Sequence, residues 1–348
     1  MSTQQERTYA TGRSVFVIDG MNLFLRSFMV NEAMSTKSEP IGGVVGFMKS
    51  LYYLVANFSP GSVYVVWESG GGCPRRKALY PEYKANRAKV KDFQKLKTGG
   101  SNVRDLLAAD SNSKVKQLAL LYRLLNYTPV CQVFVKDTEG DDVVSYLVKD
   151  RFAHDPEFEN SSVVIVSTDK DYYQLLENKQ IKVYDPAKKV FIDHATVLET
   201  FGISARNFAL AKAIVGDPSD NIEGVPGVGF KTAQKRLQSL LETTERDTTV
   251  DDIMVECQAR LNDKKTAKIK LYRDVLGSES IIKRNWKLMY LNTSTLSGAQ
   301  IEKINWTVDN HEPKMDKLGL IKTVVANGIS MTVDVDLFSM IMNQNLVR

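Results

Sequence analysis

Five short apolar runs, rich in valine, isoleucine and aromatic residues, recur through the first half of the chain and constrain its fold more than any other feature. The runs are Ser14–Asp19, Ser62–Glu68, Val130–Val135, Ser162–Ser167 and Ile181–Tyr184. Their length and composition are typical of buried strands. Between them lie segments with apolar residues at helical spacing, such as Gly42–Asn57 and Val115–Leu125. Strands that alternate with helices predict an α/β fold with a mostly parallel sheet flanked by helices.

The pattern changes in the second half of the chain, where helices and turns replace the strand-like runs. The stretch Gly216–Gly229 is dense in glycine, proline and aspartate, which indicates a loop or hairpin, and Ala205–Leu241 is interpreted as helix, loop, helix. Residues after Gly298 show no chemistry-bearing pattern. We therefore expect a core over residues 1–195, a helical region over residues 196–297 and a C-terminal extension of unknown role over residues 298–348.

Cysteine and histidine usage excludes several kinds of metal and redox site. Cys73, Cys131 and Cys257 are far apart, and the chain has only three histidines. This argues against a disulfide scaffold, a zinc ribbon or a histidine-rich centre, and leaves oxygen ligands for hard cations. The N-terminus MSTQQERTYATG lacks an apolar signal region, and no run approaches ~18 apolar residues. We expect a cytoplasmic protein that does not enter a membrane.

Acidic residues stand where the predicted strands end. Those after the strands are Asp19, Glu68, Glu139, Asp141, Asp142, Asp169 and Asp171, and Asp217 and Asp220 lie in the later Gly/Pro loop. Taken singly, an acid in the first turn of a helix is usually a cap or a dipole partner. Because the carboxyl ends of parallel strands share one edge, we instead expect the set to converge. Crowded carboxylates repel unless cations neutralise them, and two divalent ions roughly 4 Å apart suit phosphodiester displacement.

A basic segment with interleaved aromatic residues follows the second predicted strand. Residues Arg75–Lys97 contain nine Lys or Arg residues and two acids, together with Tyr80, Tyr83 and Phe93. Such a run is usually a solvated surface. Beside an acidic rim, however, cations and stackable rings favour an interpretation as a guide for a nucleic-acid strand.

The run Gly224–Ala233 has the form of a helix-hairpin-helix turn. Gly227 and Gly229 permit positive φ angles and close backbone approach, and amides at the next helix start can face a phosphate. Lys231 and Thr232 add a charge and a hydroxyl. A simple tight turn is the alternative, but the stretch PGVGFKTA after GDPSDN indicates sequence-independent DNA binding.

These stretches together resemble the 5′-nuclease or flap endonuclease family, which includes bacteriophage 5′ exonucleases and the nuclease domain of bacterial DNA polymerase I. The resemblance spans roughly Val15 to Leu241. It is carried by VFVIDGMNLFLR, VVWESGGGCPRRKALYPEYKANR, EGDDVVSYL, VVIVSTDKDYYQLL and VGDPSDNIEGVPGVGFKTA. It implies a PIN-like catalytic core, a helical arch at about residues 75–115 and a helix-three-turn-helix DNA-binding region.

The resemblance also implies roles for individual residues. Two Mg²⁺ ions, with Mn²⁺ as a substitute, would be held by the nine acids named above, Glu139, Asp141 and Asp142 serving mainly one ion and Asp217 and Asp220 the other. Lys84 would stabilise charge on the scissile phosphate and Arg87 would position it, while Tyr83 would stack on a base. Arg26 would contact a phosphate, and carbonyls near Val225–Val228 would hold a K⁺ ion. The family usually has Asp where this chain has Glu68, which is one methylene longer.

The function implied is a structure-selective 5′ nuclease with 5′-3′ exonuclease and flap endonuclease activity. Its partners would be DNA with 5′ flaps, single-stranded 5′ arms or duplex ends, and RNA–DNA hybrids if it removes primers during replication. A monomer, a replication-protein partner and a phage origin, with the host cytoplasm as location, fit this hypothesis. A non-catalytic DNA-binding protein with the same fold, supported only by Glu68, and a PIN-type ribonuclease are the alternatives.

Overall fold

The molecule is built on a six-stranded sheet. The computed structural model describes residues 14–68, 70, 72–86, 111–153, 162–241 and 246–347. The strands are β1 (Val15–Asp19), β2 (Ser62–Glu68), β3 (Cys131–Val135), β4 (Val163–Val166), β5 (Ile181–Asp185) and β6 (Val190–Ile192). Their spatial order is β3-β2-β1-β4-β5-β6, and all neighbours are parallel except β5 and β6. The expectation of a mostly parallel α/β sheet is confirmed.

Burial on both faces explains why the central strands are continuous apolar runs. Ile18 of β1 pairs with Val65 of β2 on one side and Val166 of β4 on the other, and all three are fully buried or nearly so. The antiparallel edge strand β6 was not predicted. With three residues, of which Val190 is exposed, it is too short to show a periodic pattern.

Helices cover both faces of the sheet. In the first part of the chain they are α1 (Gly20–Val30), α2 (Gly42–Phe58), α3 (Pro74–Leu79), α4 (Ser111–Leu125) and α5 (Gly140–Tyr146), the last continued by a π-helical turn, Leu147–Phe152. Helices α1 and α2 approach closely, because a Cβ on Gly46 would lie only 2.7 Å from Ser27 Cβ. That contact fixes α1, which starts directly at the end of β1.

A helical region with its own apolar cluster follows the sheet. It comprises α6 (His194–Phe201), α7 (Phe208–Val215), α8 (Phe230–Arg236), α9 (Val250–Asn262), α10 (Lys270–Gly277) and α11 (Glu279–Met289), with short 3-10 turns between several of them. The expected boundary after residue 195 falls inside α6. The cluster that includes Leu210, Ile253 and Ile282 nevertheless forms a core apart from the sheet.

A small hairpin joins α7 to α8. Two-residue strands β7 (Gly216–Asp217) and β8 (Ile222–Glu223) pair antiparallel around a 3-10 turn, Pro218–Asp220. Gly216 has φ +86°, and a Cβ there would lie 2.4 Å from the amide nitrogen of Gly224. Only glycine accommodates this backbone contact. The predicted hairpin is present, with two very short strands.

The segment expected as a C-terminal extension, residues 298–348, packs into the core of the sheet. It forms α12 (Gly298–Asp309), α13 (Lys317–Ala326) and α14 (Val335–Leu346). Phe338, Met342 and Leu346 recur every four residues and are buried in the same cluster as the α2 core residues. Apolar spacing, not chemistry, is the signal in this segment.

Within the described ranges, no helix is both long and apolar enough to span a bilayer.

Candidate active site

The carboxyl end of the sheet forms a rim at a topological switch point. Connections from β1 and β4 leave in opposite directions, so a crevice opens between these neighbouring strands. Asp19 ends β1 and Glu68 ends β2. Glu139 and Asp142 open α5 after β3, and Asp169 follows β4. Sheet topology therefore brings together acids that lie far apart in the sequence.

Asp19 is held rigidly at the centre of the rim. Its carboxylate accepts a hydrogen bond from the Asn22 amide at 3.0 Å, from the Tyr172 hydroxyl at 3.0 Å and from Ser167 Oγ at 3.3 Å. Desolvation, with smaller contributions from the charges of Asp169 and Glu68, outweighs these bonds and raises the pKa of Asp19 to about 7. The three donors fix where this carboxylate points.

Arg76 is a buried cation behind the acids that follow β3. Its Nη1 lies 2.7 Å from Glu139 Oε2 and 2.7 Å from Asp142 Oδ2, while its Nε donates to the Leu288 carbonyl at 2.8 Å. Desolvation, then repulsion by Asp141, raises the pKa of Asp142 to about 6, although Arg76 opposes the rise. The guanidinium thus orients two carboxylates and ties them to α11.

Lys84 and Tyr83 connect the rim to the hairpin. Lys84 Nζ lies 2.6 Å from Glu139 Oε1 and 3.8 Å from Asp220 Oδ2, and its amide donates to the Asp220 carbonyl at 2.9 Å. The Tyr83 hydroxyl donates toward Glu139 at 2.9 Å and lies 3.3 Å from Asp220. Lys84 thus lies beside the acids, where the sequence predicted a cation.

The interpretation of Tyr83 as a base-stacking residue is wrong for this conformation. Its side chain is buried, with 4% of its surface exposed, and packs against Ile222, Leu288 and Met289. A ring enclosed in this way offers no free face to a base. The apolar contacts show that Tyr83 instead seals the rim against α11.

Lys212 joins the acids after β4 to the hairpin. It is buried in α7, and its Nζ contacts Asp171 and lies 2.8 Å from Asp217 Oδ2. Desolvation raises the pKa of Asp171 to about 7 despite this cation, and Asp169 adds to the rise. Although desolvation opposes it, Lys212 lowers the pKa of Asp217. A single ammonium therefore bridges the core and the helical region.

All nine predicted acids belong to one electrostatic neighbourhood. Besides the contacts above, the Gly140 amide lies 3.5 Å from Glu68 Oε1. Desolvation is the largest cause of the raised pKa of Asp171, and the charges of Asp169 and Asp141 act in the same direction. Arg76, Lys84 and Lys212 stand between the acids. Among the described residues, no three carboxylates, histidines or cysteines are arranged to hold a metal ion as they stand.

A cleft of about 440 Å³ opens beside the rim. Glu68, Lys77, Lys84 and Glu139 line it, together with Cys73, a buried thiol. The cleft is lined by cations as well as carboxylates. A polyanion that approached the acids here would meet the two lysines.

The other predicted DNA-contacting residues do not line this cleft and lie on α1, on the hairpin and on α8. Arg26 is exposed on α1, and Gly227, with φ +76°, lies at an open position of the hairpin. Gly229 has φ −105° as the N-cap of α8, so it does not use the positive φ that glycine permits. Lys231 is exposed and Thr232 half-buried in the first turn of α8. Arg87 and most of the predicted arch lie outside the described residues.

Two cations of the site, Arg76 and Lys212, were not predicted from the sequence. Lys212 had a usable signal, because it is the single charge in the apolar helix FALAKAIV, and a lone buried lysine is paired in nearly all proteins. Arg76 had no such signal in the sequence, because Arg75 and Lys77 beside it are also cationic.

Known proteins are similar to this chain in both sequence and fold. A family model described as the 5′-3′ exonuclease N-terminal resolvase-like domain matches residues 14–202. The thermostable DNA polymerase I of Thermus thermophilus is 33% identical over 226 residues, covering 64% of this chain but 24% of the polymerase. The chain thus spans about a quarter of that relative. The 5′-3′ exonuclease of Aquifex aeolicus is 27% identical over 222 residues, covering 64% of this chain and 68% of that protein.

Solved structures share the fold. The bacteriophage T5 D15 flap endonuclease, in a pseudo-enzyme-product complex with DNA and metal ions, superposes with a TM-score of 0.64 at 21% identity. The match covers 85% of this chain and 97% of that one. A T5 5′-exonuclease with bound divalent zinc ions gives a TM-score of 0.65 at 21% identity, covering 86% of this chain and 98% of that one.

Proposed function

This chain belongs to the 5′-3′ exonuclease family defined by the N-terminal resolvase-like domain, and we propose on that premise that it is a divalent-metal-dependent nuclease acting on DNA. It would cleave 5′ flaps and single-stranded 5′ arms or degrade duplex from a 5′ end. The observation that carries the proposal is the meeting of acids from four strand ends and the hairpin at one rim, beside a cleft that Lys77 and Lys84 help to line.

The donor set fits divalent metal ions. Every predicted ligand is a carboxylate, the ligand type that hard cations such as Mg²⁺ and Mn²⁺ prefer. Desolvation raises the pKa of both Asp19 and Asp171 to about 7, because burial disfavours the charged carboxylate. Two bound ions would supply Lewis acidity to the attacking and leaving oxygens of the phosphodiester. We assign Glu139, Asp141 and Asp142 mainly to one ion and Asp217 and Asp220 to the other.

The chain's own cations divide the remaining work. Lys84 Nζ lines the cleft, where it would bind the scissile phosphate and stabilise the negative charge that develops there. Arg76 is too buried to reach DNA, so it holds Glu139 and Asp142 in place. The open hairpin at Gly227 would bind the duplex backbone through amides and Lys231, with a K⁺ ion on carbonyls near Val225–Val228.

Cleavage of a labelled 5′-flap duplex tests the proposed function. The purified full-length protein should release the flap in Mg²⁺ or Mn²⁺ and leave it intact in EDTA. A 3′-flap duplex of the same length is the matched control and should be cut far more slowly. Intact 5′-flap DNA in both metals would overturn the proposal, and cutting of an RNA flap alone would favour a ribonuclease.

Lys84→Ala should slow the chemical step. By analogy with the loss of one preorganised oxyanion donor, the expected cost is about 2–4 kcal/mol, or roughly 30- to 1000-fold in single-turnover rate. Lys84 already has φ +57°, and alanine at that angle meets the same backbone penalty, so the change reports on the ammonium. Lys77→Ala, at an exposed lysine of the same cleft, is the control. An unchanged rate for Lys84→Ala would remove Lys84 from the catalytic residues.

Stability without metal should fall as pH rises. Asp19 and Asp171 have folded-state pKa values of about 7 against an ordinary value of 3.8, so the folded state binds more protons between about pH 4 and 7. The free energy of unfolding in EDTA should therefore drop by on the order of 5 kcal/mol from pH 5 to pH 8. Urea denaturation measures it. Mg²⁺ should restore stability at pH 8, and Asp171→Asn should show a smaller drop; higher stability at pH 8 in EDTA would contradict the account.

A further inference from the structure

The helical region carries a second cluster of exposed cations beyond the hairpin. Residues 263–269, DKKTAKI, connect α9 to α10, and we call them the lysine turn. Lys264, Lys265 and Lys268 are exposed there. The lysine turn has one acid, Asp263, and no aromatic residue.

Hydrogen bonds hold the lysine turn in a fixed shape. Asp263 Oδ1 accepts from the Lys265 amide at 3.0 Å, and the Asp263 carbonyl accepts from the Ala267 amide at 2.8 Å. Thr266 Oγ1 donates to the Arg260 carbonyl at 2.5 Å. Because the Asp263 carboxylate is engaged by the backbone, the lysine side chains are presented from an ordered support.

Two links join this support to the end of the hairpin helix α8. The Tyr272 hydroxyl, in the first turn of α10, donates to the Arg236 carbonyl at 3.3 Å. Glu256 of α9 accepts from the amides of Gln238 and Ser239, directly after α8, at 2.7 and 3.0 Å. These hydrogen bonds therefore hold the support of the lysine turn in a fixed position relative to the end of α8.

Helix α8 begins at the hairpin and ends at Arg236, whose carbonyl is bonded to Tyr272, and it carries two exposed lysines. Lys231 in its first turn and Lys235 in its last are exposed. A helix of seven residues is about 10 Å long, comparable to the width of a DNA groove. Within the described part of the chain, Lys231, Lys235, Lys264, Lys265 and Lys268 form no ion pair with an acid.

We propose that the lysine turn is a second contact for the sugar–phosphate backbone of the duplex arm, extending the footprint of the hairpin along α8. The inference rests on the proposed function, because it presumes that the hairpin holds a duplex. Lysines that form no ion pair and stand on an ordered backbone can bind the phosphates of a polyanion. A duplex is favoured over a single strand because the lysine turn offers no ring on which an exposed base could stack.

Binding of a fluorescent duplex in EDTA, which removes cleavage from the measurement, tests this. The variant Lys264→Gln/Lys265→Gln/Lys268→Gln is compared with Lys179→Gln/Lys314→Gln/Lys322→Gln, which loses the same charge from exposed lysines elsewhere. Anisotropy titrations from about 50 to 200 mM salt give the slope of log Kd against log salt. The lysine-turn variant should have a slope shallower by about 2 to 3 and bind about tenfold or more weakly, because each lost phosphate contact removes about 0.9 from the slope.

The outcomes separate the inference from the function on which it rests. The control variant should keep the wild-type slope, and thermal melting should show that both variants fold. A wild-type slope in the lysine-turn variant would overturn the second contact, as would equal losses in the two variants, which would indicate general charge. No binding of the duplex by the wild-type protein would overturn the proposed function as well.

Discussion

Asp171→Ala is expected to abolish DNA cleavage while leaving DNA binding in place. Asp171 is largely buried at the switch point and interacts with Lys212 and Asp169, so its carboxylate belongs to the group proposed to hold metal. Removing one ligand from a two-metal site should lower the single-turnover rate about a thousandfold or more, equivalent to about 4 kcal/mol. Binding should persist because the hairpin and the exposed lysines are untouched.

Asp193→Ala provides the matched control for this measurement. Asp171 lies in the first turn of a short helix after a strand, and Asp193 likewise follows a strand as the N-cap of α6, accepting from the Thr196 amide at 2.9 Å. Asp193 contacts none of the rim acids in the hydrogen bonds described. Its replacement should cost about 1 kcal/mol of stability and leave the cleavage rate near wild type. Wild-type cleavage by Asp171→Ala would show that the metal assignment is wrong.

Arg76→Met is expected to destabilise the metal-free protein by about 3–5 kcal/mol, the usual cost of breaking a buried ion pair from one side. The Arg76 side chain is 6% exposed, and its partners Glu139 and Asp142 are 7% and 1% exposed. Methionine fills similar space but leaves the buried Asp142 carboxylate without its cation, Glu139 with Lys84 alone, and the Leu288 carbonyl without its donor. Urea denaturation at pH 7 in EDTA measures the change.

The neighbouring arginine makes this test specific. Arg75 is exposed and donates to the Ser294 carbonyl at 2.9 Å, so Arg75→Met should change stability by no more than about 0.5 kcal/mol. If Arg76→Met is as stable as Arg75→Met, Arg76 does not hold the acids in place. Slower cleavage by Arg76→Met with unchanged DNA affinity would fit a positioning residue.

The sheet and the position of its acids could be predicted because both follow from local sequence patterns. A run such as Val15–Asp19 is continuous in apolar residues because both faces of the strand are buried, and Asp19 ends the run because the strand ends at the rim. Parallel topology then forces acids from separate strands to one edge. The α/β class and the convergence of the acids follow from these two facts.

Contacts that depend on tertiary packing could not be predicted from the local sequence in the same way. Nothing in the local sequence distinguishes Arg76 from Arg75, because burial between α3 and α11 alone decides which arginine meets Glu139. Tyr83 looked like a stacking residue in a basic run, yet its contacts with Ile222 and Leu288 lie far away in sequence. The packing of the C-terminal helices was not predicted because its signal is the spacing of apolar residues such as Phe338 and Met342, and not a set of catalytic or binding residues.

Calorimetric titration of the metal-free protein with Mn²⁺ at pH 8 tests the central claim most directly, because the claim is that the rim acids converge to bind divalent cations. The account predicts about two ions per chain for the wild-type protein and weaker or fewer ions for Asp171→Ala. Binding of less than one ion per chain, or an isotherm unchanged by Asp171→Ala, would contradict it.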